Sequence, residues 1–349
     1  MSKKIINTAL CSFGMSGTVF HAPFINLNDG FNLYAVLERN SNKAELKYPN
    51  IKTFSSLEEL LKDDNIDLVI VNTPNITHYE IAKKVIHSAK HIIIEKPFTA
   101  TSQQAKELIV LAKNKNVKLS VFQNRRFDSD FRTVKKVLSE NILGEIVDAE
   151  IHYDRYVPEL SYKVHKETAA VGVGCIYDLG SHIIDQGIQL FGMPNAVFAE
   201  LRINRKDSKV DDYFDVKLYY SKHSVTLKAS YFVKEPLPSY ILHGKKGSFL
   251  KSRADVQETD LQSGKKIDFE NWGIESEKEM GLLNVIVEGK NINKKIPTLN
   301  GNYGEYYDQM YHAITNNKTV PVSGEDALQV IQIIEAAIKS NIEKRVIEL

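Results

Sequence analysis

The sequence has few of the features that mark secreted, metal-binding or membrane-spanning proteins. Only two of its 349 residues are cysteines, Cys11 and Cys175, and neither belongs to a C-x-x-C pair. A disulfide framework or a zinc knuckle is therefore not indicated, and we expect a reducing, cytoplasmic location without a signal peptide. The longest segment without a formal charge, residues 5–28, contains glycine, proline and several polar residues. It predicts a strand, a turn and a helix instead of a membrane span.

An excess of charge of either sign is missing as well. The chain has 45 Lys and Arg against 44 Asp and Glu, a formal net charge of +1. This balance argues against a protein that binds nucleic acid or a membrane surface. With 43% hydrophobic and 26% charged residues over 349 positions, the composition predicts about two globular domains.

Strands and helices alternate through residues 1–125. Apolar segments predict strands at residues 5–12, 31–38, 67–72, 91–94 and 118–122. Three helix starts carry a capping pattern, in which Ser or Thr is followed three residues later by Glu or Gln, at Ser56, Thr77 and Thr101. This alternation is typical of a doubly wound parallel sheet, an α/β Rossmann domain.

A glycine-containing turn follows the first predicted strand and marks a candidate nucleotide site. It has the form Ser12-x-Gly14-x-x-Gly17, with serine in place of the usual first glycine. Gly14 would let the backbone approach a pyrophosphate, Gly17 would allow close packing, and the following helix would offer its amide groups. The predicted nucleotide contacts in this turn are Ser12, Gly14, Met15, Ser16 and Gly17. A turn that binds another phosphate, or none, is the alternative.

Glu38, at the end of the second predicted strand, bears on the choice of cofactor. A carboxylate there can accept hydrogen bonds from both ribose hydroxyls of NAD and repels the extra phosphate of NADP. Arg39 points the other way, because it could pair with that phosphate or stack on adenine. We therefore predict NAD or NADP as cofactor, with NAD favoured.

The segment His91–Ile94 predicts a buried central strand that ends at Glu95-Lys96-Pro97. Ligands bind beyond the carboxyl ends of strands in open parallel sheets, so Lys96 is expected on the ligand side. Pro97 fixes its own φ and removes a backbone donor, which ends the strand. The alternative is an ordinary surface lysine.

After about residue 144 the alternation stops. Residues 146–156, 195–204, 212–220, 224–232, 240–243 and 248–251 predict strands without intervening helices, which is typical of an antiparallel sheet. Helices are expected at about 176–191, 303–316 and 325–344, whereas 255–297 gives no functional indication. We predict an N-terminal domain at 1–125, to which the C-terminal helix could return, and an α+β substrate and oligomerisation domain at 126–349.

Asp178 and His182 form the second chemical cluster. They are four residues apart on a predicted helix and would share one face. A carboxylate there can orient the imidazole and raise its pKa. The alternative is a capping acid and a partly buried histidine. A metal is not expected, because no third ligand stands nearby in the sequence.

Five motifs in order give the chain a family resemblance. They are the glycine turn with Phe20-His21-Ala22-Pro23, Asn72-Thr73-Pro74-x-x-x-His78, Glu95-Lys96-Pro97, Gln123-Asn124-Arg125-Arg126, and Asp178-Leu179-Gly180-Ser181-His182. Together they resemble the Gfo/Idh/MocA oxidoreductases, and most closely the bacterial branch that contains scyllo-inositol dehydrogenases. The resemblance covers essentially the whole chain. Phe127 stands where that branch has tryptophan, and a second tryptophan around residues 162–163 is missing, so the pocket rim differs.

The resemblance implies a fold and a set of site residues. A Rossmann domain would precede an α+β domain with a large, mostly antiparallel sheet, whose open face would form homodimer or homotetramer contacts. It also implies a cis bond between Lys96 and Pro97. The residues implied for the nicotinamide side are Thr73, Pro74, His78 and Asn124, and Glu95 and Lys96 are further expected cofactor contacts. Those implied for catalysis and substrate binding are Lys96, Asp178 and His182.

The expected function is NAD(P)-dependent hydride transfer between nicotinamide and a secondary alcohol or ketone of an inositol or sugar. His182, held by Asp178, would act as general base, and Lys96 would stabilise the developing alkoxide. Lys96 could instead be the base if burial depressed its pKa from about 10.4. Tyr153, Arg155 and Tyr156 are candidate polyol contacts. A non-catalytic sensor and a lyase or hydrolase that uses bound NAD transiently are the alternatives.

Overall fold

The computed structural model describes residues 4–39 and 42–349. Its strands are β1 (Ile6–Leu10), β2 (Phe31–Leu37), β3 (Lys52–Phe54), β4 (Leu68–Val71), β5 (His91–Glu95), β6 (Leu119–Phe122), β7 (Ile146–His152), β8 (Ala196–Arg202), β9 (Tyr213–Tyr219), β10 (Ser224–Ser230), β11 (Tyr240–Gly244), β12 (Gly247–Lys251), β13 (Gly281–Val287), β14 (Lys290–Ile296) and β15 (Ile347–Glu348).

The helices range from one turn to twenty residues. They are α1 (Ala22–Leu27), α2 (Lys43–Lys47), α3 (Leu57–Leu61), α4 (His78–His87), α5 (Ser102–Asn114), α6 (Ser129–Ser139), α7 (Val164–Glu167), α8 (Cys175–Asp178), α9 (Gly180–Phe191), α10 (Gln257–Gln262), α11 (Gly304–Thr315) and α12 (Gly324–Glu343). A π-helical segment, Gly17–His21, precedes α1 directly. Within the described residues, no helix combines the length and apolarity that crossing a bilayer requires.

The chain forms two compact units. The first contains the described residues up to Asn124, together with Gln257–Phe269 and Tyr303–Leu328. The second contains Arg125–Val256, Glu270–Asn302 and Gln329–Leu349. The chain therefore passes between the units more than once, whereas the sequence suggested one boundary near residue 125 and a possible return of the C-terminal helix.

The first unit contains the expected doubly wound sheet. Its six strands are all parallel, in the order β3-β2-β1-β4-β5-β6. Every residue of β4 and β6 is buried, as apolar strands covered on both faces require. The order reverses between β1 and β4, so the turns that follow these strands and β5 lie at the edge where such folds bind ligands.

Two of the three predicted helix caps are confirmed. The Ser56 hydroxyl accepts a hydrogen bond from the Glu59 amide, and the Thr101 hydroxyl accepts one from the Gln104 amide. The cap predicted at Thr77 is wrong. Residues Asn75–Thr77 form a 3₁₀ turn before α4, and this turns the Thr77 hydroxyl back to the Pro74 carbonyl, 2.6 Å away.

The second unit is built on a nine-stranded sheet, in the order β14-β13-β12-β11-β7-β10-β9-β8-β15. Its pairs are antiparallel except for β7 and β10, which run parallel. One face packs into an apolar core with α9 and the second-unit part of α12. The other face is partly exposed and includes apolar side chains of β8 and β13 at Phe198, Leu282 and Ile286.

Two details of the second half differ from the expectation. The single helix expected at 176–191 is interrupted at Leu179, so that α8 ends at Asp178 and α9 begins at Gly180. The segment 255–297, for which the sequence predicted neither helix nor strand, contains helix α10 and the hairpin of β13 and β14. Seven of the hairpin's residue pairs are in antiparallel register, from Gly281 with Ile296 to Val287 with Lys290.

Candidate functional site

The turn after β1 is fastened to the end of β4. The Ser12 amide donates to Asn72 Oδ1 (2.9 Å), Asn72 Nδ2 donates to the Ser12 carbonyl (2.8 Å), and the Ser12 hydroxyl donates to the Asn72 carbonyl (3.0 Å). A Cβ on Gly17 would lie 2.5 Å from the Ser12 carbonyl oxygen and 2.9 Å from Asn72 Nδ2. Position 17 therefore requires glycine, because the backbone of this turn packs against β4.

Gly14 lies in a different environment. A Cβ there would meet only the Ser12 hydroxyl within 4 Å, at 3.8 Å, and the residue is exposed. The fold itself does not need glycine at this position. The open space fits the predicted use, in which the bare backbone approaches a pyrophosphate.

Glu38 and Arg39 follow β2, and Glu38 is buried whereas Arg39 is exposed. Glu38 is 9% exposed, and its Oε2 accepts a hydrogen bond from the Ala44 amide at 2.9 Å. The carboxylate is therefore fixed by the backbone at the carboxyl end of β2. Arg39 is exposed.

Glu95 connects the glycine turn to the turn that carries Lys96. Its Oε1 accepts hydrogen bonds from the Ser16 hydroxyl (2.7 Å) and from His21 Nε2 (2.9 Å), and its Oε2 accepts one from the Lys96 amide (3.2 Å). Burial raises the pKa of Glu95, but the hydrogen bonds and charges of His21, Ser16 and Lys96 outweigh burial and leave this pKa below its usual value. Glu95 therefore acts as an ionised anchor for both turns.

The bond between Lys96 and Pro97 is cis, as the resemblance implied. His78 supports this turn from beneath. It has no exposed surface, its ring nitrogens lie 2.9 Å from the carbonyl oxygens of Thr73 and Pro97, and burial lowers its pKa. A neutral ring donates to one of these carbonyls. His78 thus ties the turn after β4 to the turn after β5 and presents neither nitrogen to a ligand.

The remaining predicted nucleotide residues differ in exposure. Met15 is 48% exposed, and Pro74 is exposed as well. Thr73 is partly buried, and its hydroxyl lies 2.7 Å from that of Thr77. Asn124, just after β6, is only 5% exposed.

In the second unit, the partly buried Asp211 holds the start of α8, the helix that carries Asp178. Asp211 Oδ2 accepts a hydrogen bond from the Ile176 amide at 2.7 Å, and the Asp211 carbonyl accepts one from the Cys175 amide at 2.9 Å. Burial raises the pKa of Asp211 to about 6. The approach is so close that a Cβ on Gly174 would lie 2.0 Å from Asp211 Oδ1.

Asp178 and His182 lie on either side of the helix interruption. Lys166 Nζ donates to Asp178 Oδ2 at 2.9 Å. His182 is 5% exposed, and its ring centroid lies 6.1 Å from that of Tyr153. That Asp178 orients the His182 ring remains a prediction.

One of the three predicted polyol contacts, Tyr153, lies near His182, and a second, Arg155, contacts Tyr153. Tyr153 faces the His182 ring, and the Arg155 guanidinium lies over the Tyr153 ring, 5.1 Å from its centroid. Tyr156 is placed differently. It forms a bridge with Phe232, and Lys234 Nζ lies 5.5 Å from its ring centroid.

Sequence reasoning missed two further residues beside Tyr153. The guanidinium of Arg253 lies 4.4 Å from the Tyr153 ring centroid, and that of Arg125 lies 5.9 Å from it. Arg125 stood in a quoted motif, so that motif could have suggested it. Arg253 precedes the segment that gave no functional indication, and nothing in its local sequence distinguishes it from a surface arginine. No metal-binding group of three His, Cys, Asp or Glu occurs in the described parts of the chain.

Comparison with known proteins places the chain in a family. The profile described as "Oxidoreductase family, NAD-binding Rossmann fold" matches residues 6–123, and "Oxidoreductase family, C-terminal alpha/beta domain" matches residues 135–349. The chain belongs to the Gfo/Idh/MocA oxidoreductase family. The chain therefore has a nucleotide-binding domain of the Rossmann type, and the recognition made from the five motifs is confirmed.

Several members of the Gfo/Idh/MocA family resemble the chain over nearly its whole length. It is 38% identical to scyllo-inositol 2-dehydrogenase (NADP(+)) IolW of Bacillus subtilis, covering 99% of this chain and 96% of that protein. A crystal structure from Bacteroides fragilis is 45% identical, with a TM-score of 0.91 over 99% of this chain and 100% of the other. An oxidoreductase from Bacillus cereus is 35% identical, with a TM-score of 0.91 over 99% and 98%.

Proposed function

We propose that the protein is an NAD(P)-dependent dehydrogenase that oxidises a secondary alcohol of an inositol or sugar, or reduces the matching ketone. The observation that carries the proposal is the row of turns at the carboxyl ends of β1, β4 and β5. These turns bear Ser12, Asn72 and Lys96, and hydrogen bonds join them in pairs. The similarity to the Bacillus subtilis scyllo-inositol 2-dehydrogenase supports the substrate class.

The residues of the first unit fit a dinucleotide. The open space at Gly14 would admit a pyrophosphate beside the backbone, and the fixed carboxylate of Glu38 would accept hydrogen bonds from the adenosine ribose. When bound, the nicotinamide supplies a two-electron hydride acceptor. We propose that NAD is preferred over NADP, because a 2′-phosphate would face the Glu38 carboxylate. The name of the Bacillus subtilis relative specifies NADP(+), so this preference needs its own test.

The chain's own contribution to the reaction is proton transfer and charge stabilisation. As the carbinol carbon gives up its hydride, the hydroxyl proton passes to a base and a carbonyl remains. We propose that His182 accepts this proton, with Asp178 as the acid that supports it, and that Lys96 donates a hydrogen bond to the oxygen as negative charge develops. Tyr153, which lies beside His182, and Arg155, which contacts Tyr153, would contact the substrate.

The test is reduction of NAD and NADP, followed at 340 nm, with a panel of inositols and sugars. We expect His182→Ala and Lys96→Ala to lower turnover by about 10²–10⁴-fold, as the loss of an acid–base group does. His87→Ala and Lys113→Ala, which alter exposed residues of α4 and α5, serve as controls. Near-normal rates in both site variants would remove these residues from the mechanism.

Two further measurements sharpen this test. The limb of the pH–rate profile that reports the base should disappear in the variant that lacks it, which distinguishes His182 from Lys96. If nicotinamide is instead regenerated during each turnover, with no net reduction, the protein is a lyase or hydrolase that oxidises its substrate transiently.

We also propose that the open face of the nine-stranded sheet joins identical subunits in a dimer or tetramer. The exposed apolar residues Phe198, Leu282 and Ile286 on that face support this arrangement. Light scattering of the wild type and of Phe198→Lys would test it, since a charge there should weaken association. A cytoplasmic location is proposed from the thiols of Cys11 and Cys175, which are free and buried.

A further inference from the structure

Three arginines surround one buried tyrosine of the second unit. Tyr153 is 8% exposed, and its ring centroid lies 4.4 Å from Cζ of Arg253, 5.1 Å from Cζ of Arg155 and 5.9 Å from Cζ of Arg125. The same ring lies 6.1 Å from that of His182. Arg125 is paired with Asp128 at 3.4 Å, so Arg155 and Arg253 are the two arginines that bring positive charge to the tyrosine beside His182, the residue proposed to accept the substrate proton.

Arg253 has donors that the protein does not use. Its Nη2 donates to Gln186 Oε1 at 3.1 Å and to the His152 carbonyl at 3.4 Å. Its Nε and Nη1 are buried and have no hydrogen-bond partner. Because burying a polar N–H without an acceptor costs on the order of 1–3 kcal/mol, an acceptor supplied by a ligand or by water would stabilise this guanidinium.

Arg126 and Arg205, two arginines of this unit with little exposed side chain, each pair with a carboxylate. Arg126 makes two hydrogen bonds with Asp185, at 2.8 and 2.6 Å. Arg205 makes two with Glu167, both at 3.0 Å. The guanidiniums of Arg155 and Arg253 instead contact a tyrosine hydroxyl, an amide oxygen and a carbonyl oxygen, and in the described residues neither has a salt bridge with a carboxylate.

The acids near this cluster are already engaged. Asp130 accepts hydrogen bonds from the Tyr240 hydroxyl and from the amides of Ala254 and Asp255. Asp178 forms an ion pair with Lys166. Neither Asp130 nor Asp178 forms a salt bridge with Arg155 or Arg253, so both guanidiniums can still donate hydrogen bonds to a ligand.

We propose that the substrate carries an oxyanion, a carboxylate or a phosphate, that binds Arg253 and Arg155 beside Tyr153. This inference rests on the proposed dehydrogenase function, and it narrows the substrate from a neutral polyol to an acidic one. A guanidinium binds an oxyanion by charge-assisted hydrogen bonds, which are about twice as strong as neutral ones. A sugar acid could place its carbinol at His182 and its anionic group at the arginines, because both lie next to the Tyr153 ring, within 6.1 Å of its centroid.

Binding of matched ligands to the intact protein tests the proposal directly. D-glucose, D-glucuronate and D-glucose 6-phosphate share one ring and differ in charge, and titration calorimetry at low and high salt would compare them. We expect at least one of the two anions to bind about tenfold or more tighter than glucose, with a preference that falls as salt rises. The tighter of the two identifies the group. Equal affinity for all three sugars in the wild type would overturn the proposal.

Substitutions assign the preference to its residues. Arg253→Gln removes the charge and should abolish the preference, Arg155→Gln should reduce it, and Arg253→Lys should retain part of it. Arg202→Gln, at an exposed arginine of β8 paired with Glu200, is the matched control and should leave affinity unchanged. Circular dichroism checks that each variant is folded. A folded Arg253→Gln protein that still prefers the anion would contradict the assignment.

Turnover separates this inference from the dehydrogenase proposal. If kcat/KM were equal for neutral and acidic polyols and unchanged by Arg253→Gln, the anion-site proposal would be wrong and the dehydrogenase proposal would stand. If anion binding depended on Arg253 but no polyol reduced NAD or NADP, the anion-site proposal would stand and the dehydrogenase proposal would be wrong.

Discussion

Ser12 and Asn72, sixty positions apart, are joined by three hydrogen bonds of 2.8 to 3.0 Å. Two of them use the Asn72 side chain, which both accepts from the Ser12 amide and donates to the Ser12 carbonyl. The serine that replaces the usual first glycine adds the third bond through its hydroxyl. Serine in place of the usual first glycine therefore adds a hydrogen bond between the turn and the end of β4.

Asn72→Ala tests this fastening. The substitution leaves the Ser12 amide and carbonyl without their side-chain partner, and it should lower the free energy of unfolding by about 1–3 kcal/mol. It should also raise KM for the nucleotide, because the turn loses its fixed position. Asn32→Ala is the control, since Asn32 is exposed and, among the residues described, its side chain hydrogen-bonds only to Asn7. If both substitutions changed stability and KM equally, the hydrogen bonds between Ser12 and Asn72 would not position the turn.

Gly17→Ala and Gly14→Ala should fail in different ways. A Cβ at position 17 would lie 2.5 Å from the Ser12 carbonyl oxygen, so the alanine should cost about 1–3 kcal/mol of stability. A Cβ at position 14 has room in the folded protein, so Gly14→Ala should fold normally. Its methyl group would occupy the space proposed for the pyrophosphate and should weaken nucleotide binding by about tenfold or more. Thermal unfolding and nucleotide titration of both variants check this contrast, and a Gly14→Ala protein with normal affinity would contradict it.

The fold was predictable wherever local sequence and burial agree. The strands on either side of β5, β4 and β6, are mostly apolar and fully buried, and the caps at Ser56 and Thr101 depend only on neighbouring residues. The hairpin of β13 and β14 was not predicted, because β14 is an exposed, lysine-rich edge strand and β13 carries apolar residues on both faces. Edge strands need no apolar alternation, so periodicity gives no signal there.

The candidate site was likewise predictable where its residues stand next to a recognisable strand. Lys96, Glu95 and the glycine turn stand at strand ends, and parallel strands bring their carboxyl ends to one edge of a sheet. Arg253 could not be found in this way, because its contact with Tyr153 joins residues one hundred positions apart through the pairing of β11, β12 and β7. Thr77 shows the opposite failure, since its capping pattern is present but a 3₁₀ turn redirects the hydroxyl.

Glu38→Gln tests the proposed preference for NAD. Glutamine can still accept the hydrogen bond from the Ala44 amide, so the local fold should persist. It lacks the charge that repels a 2′-phosphate, so the ratio of kcat/KM for NAD to that for NADP should fall by about tenfold. Arg39→Ala should weaken the use of NADP more than that of NAD, because pairing with the extra phosphate assists NADP alone, whereas stacking on adenine would assist both. An unchanged ratio in Glu38→Gln would show that another residue determines the preference.

Asp211→Asn should change how stability depends on pH. Burial raises the pKa of Asp211 from 3.8 to about 6, so between these values the folded state holds a proton that the unfolded state has released. The free energy of unfolding should therefore fall as pH rises from about 4 to about 7, by about 3 kcal/mol from this group. Asparagine cannot ionise but can still accept from the Ile176 amide, so this component should vanish in the variant.

Urea unfolding, followed by fluorescence, measures this effect. Trp272 is the only tryptophan, is 2% exposed and lies in the same unit as Asp211, so its emission reports the relevant transition. Asp207→Asn is the control, because Asp207 is exposed and stands nearby in the chain. The control should follow the wild type at every pH, whereas Asp211→Asn should become more stable than the wild type as pH rises above about 6. Parallel pH profiles for Asp211→Asn and the wild type would show that the Asp211 carboxyl titrates normally in the folded protein.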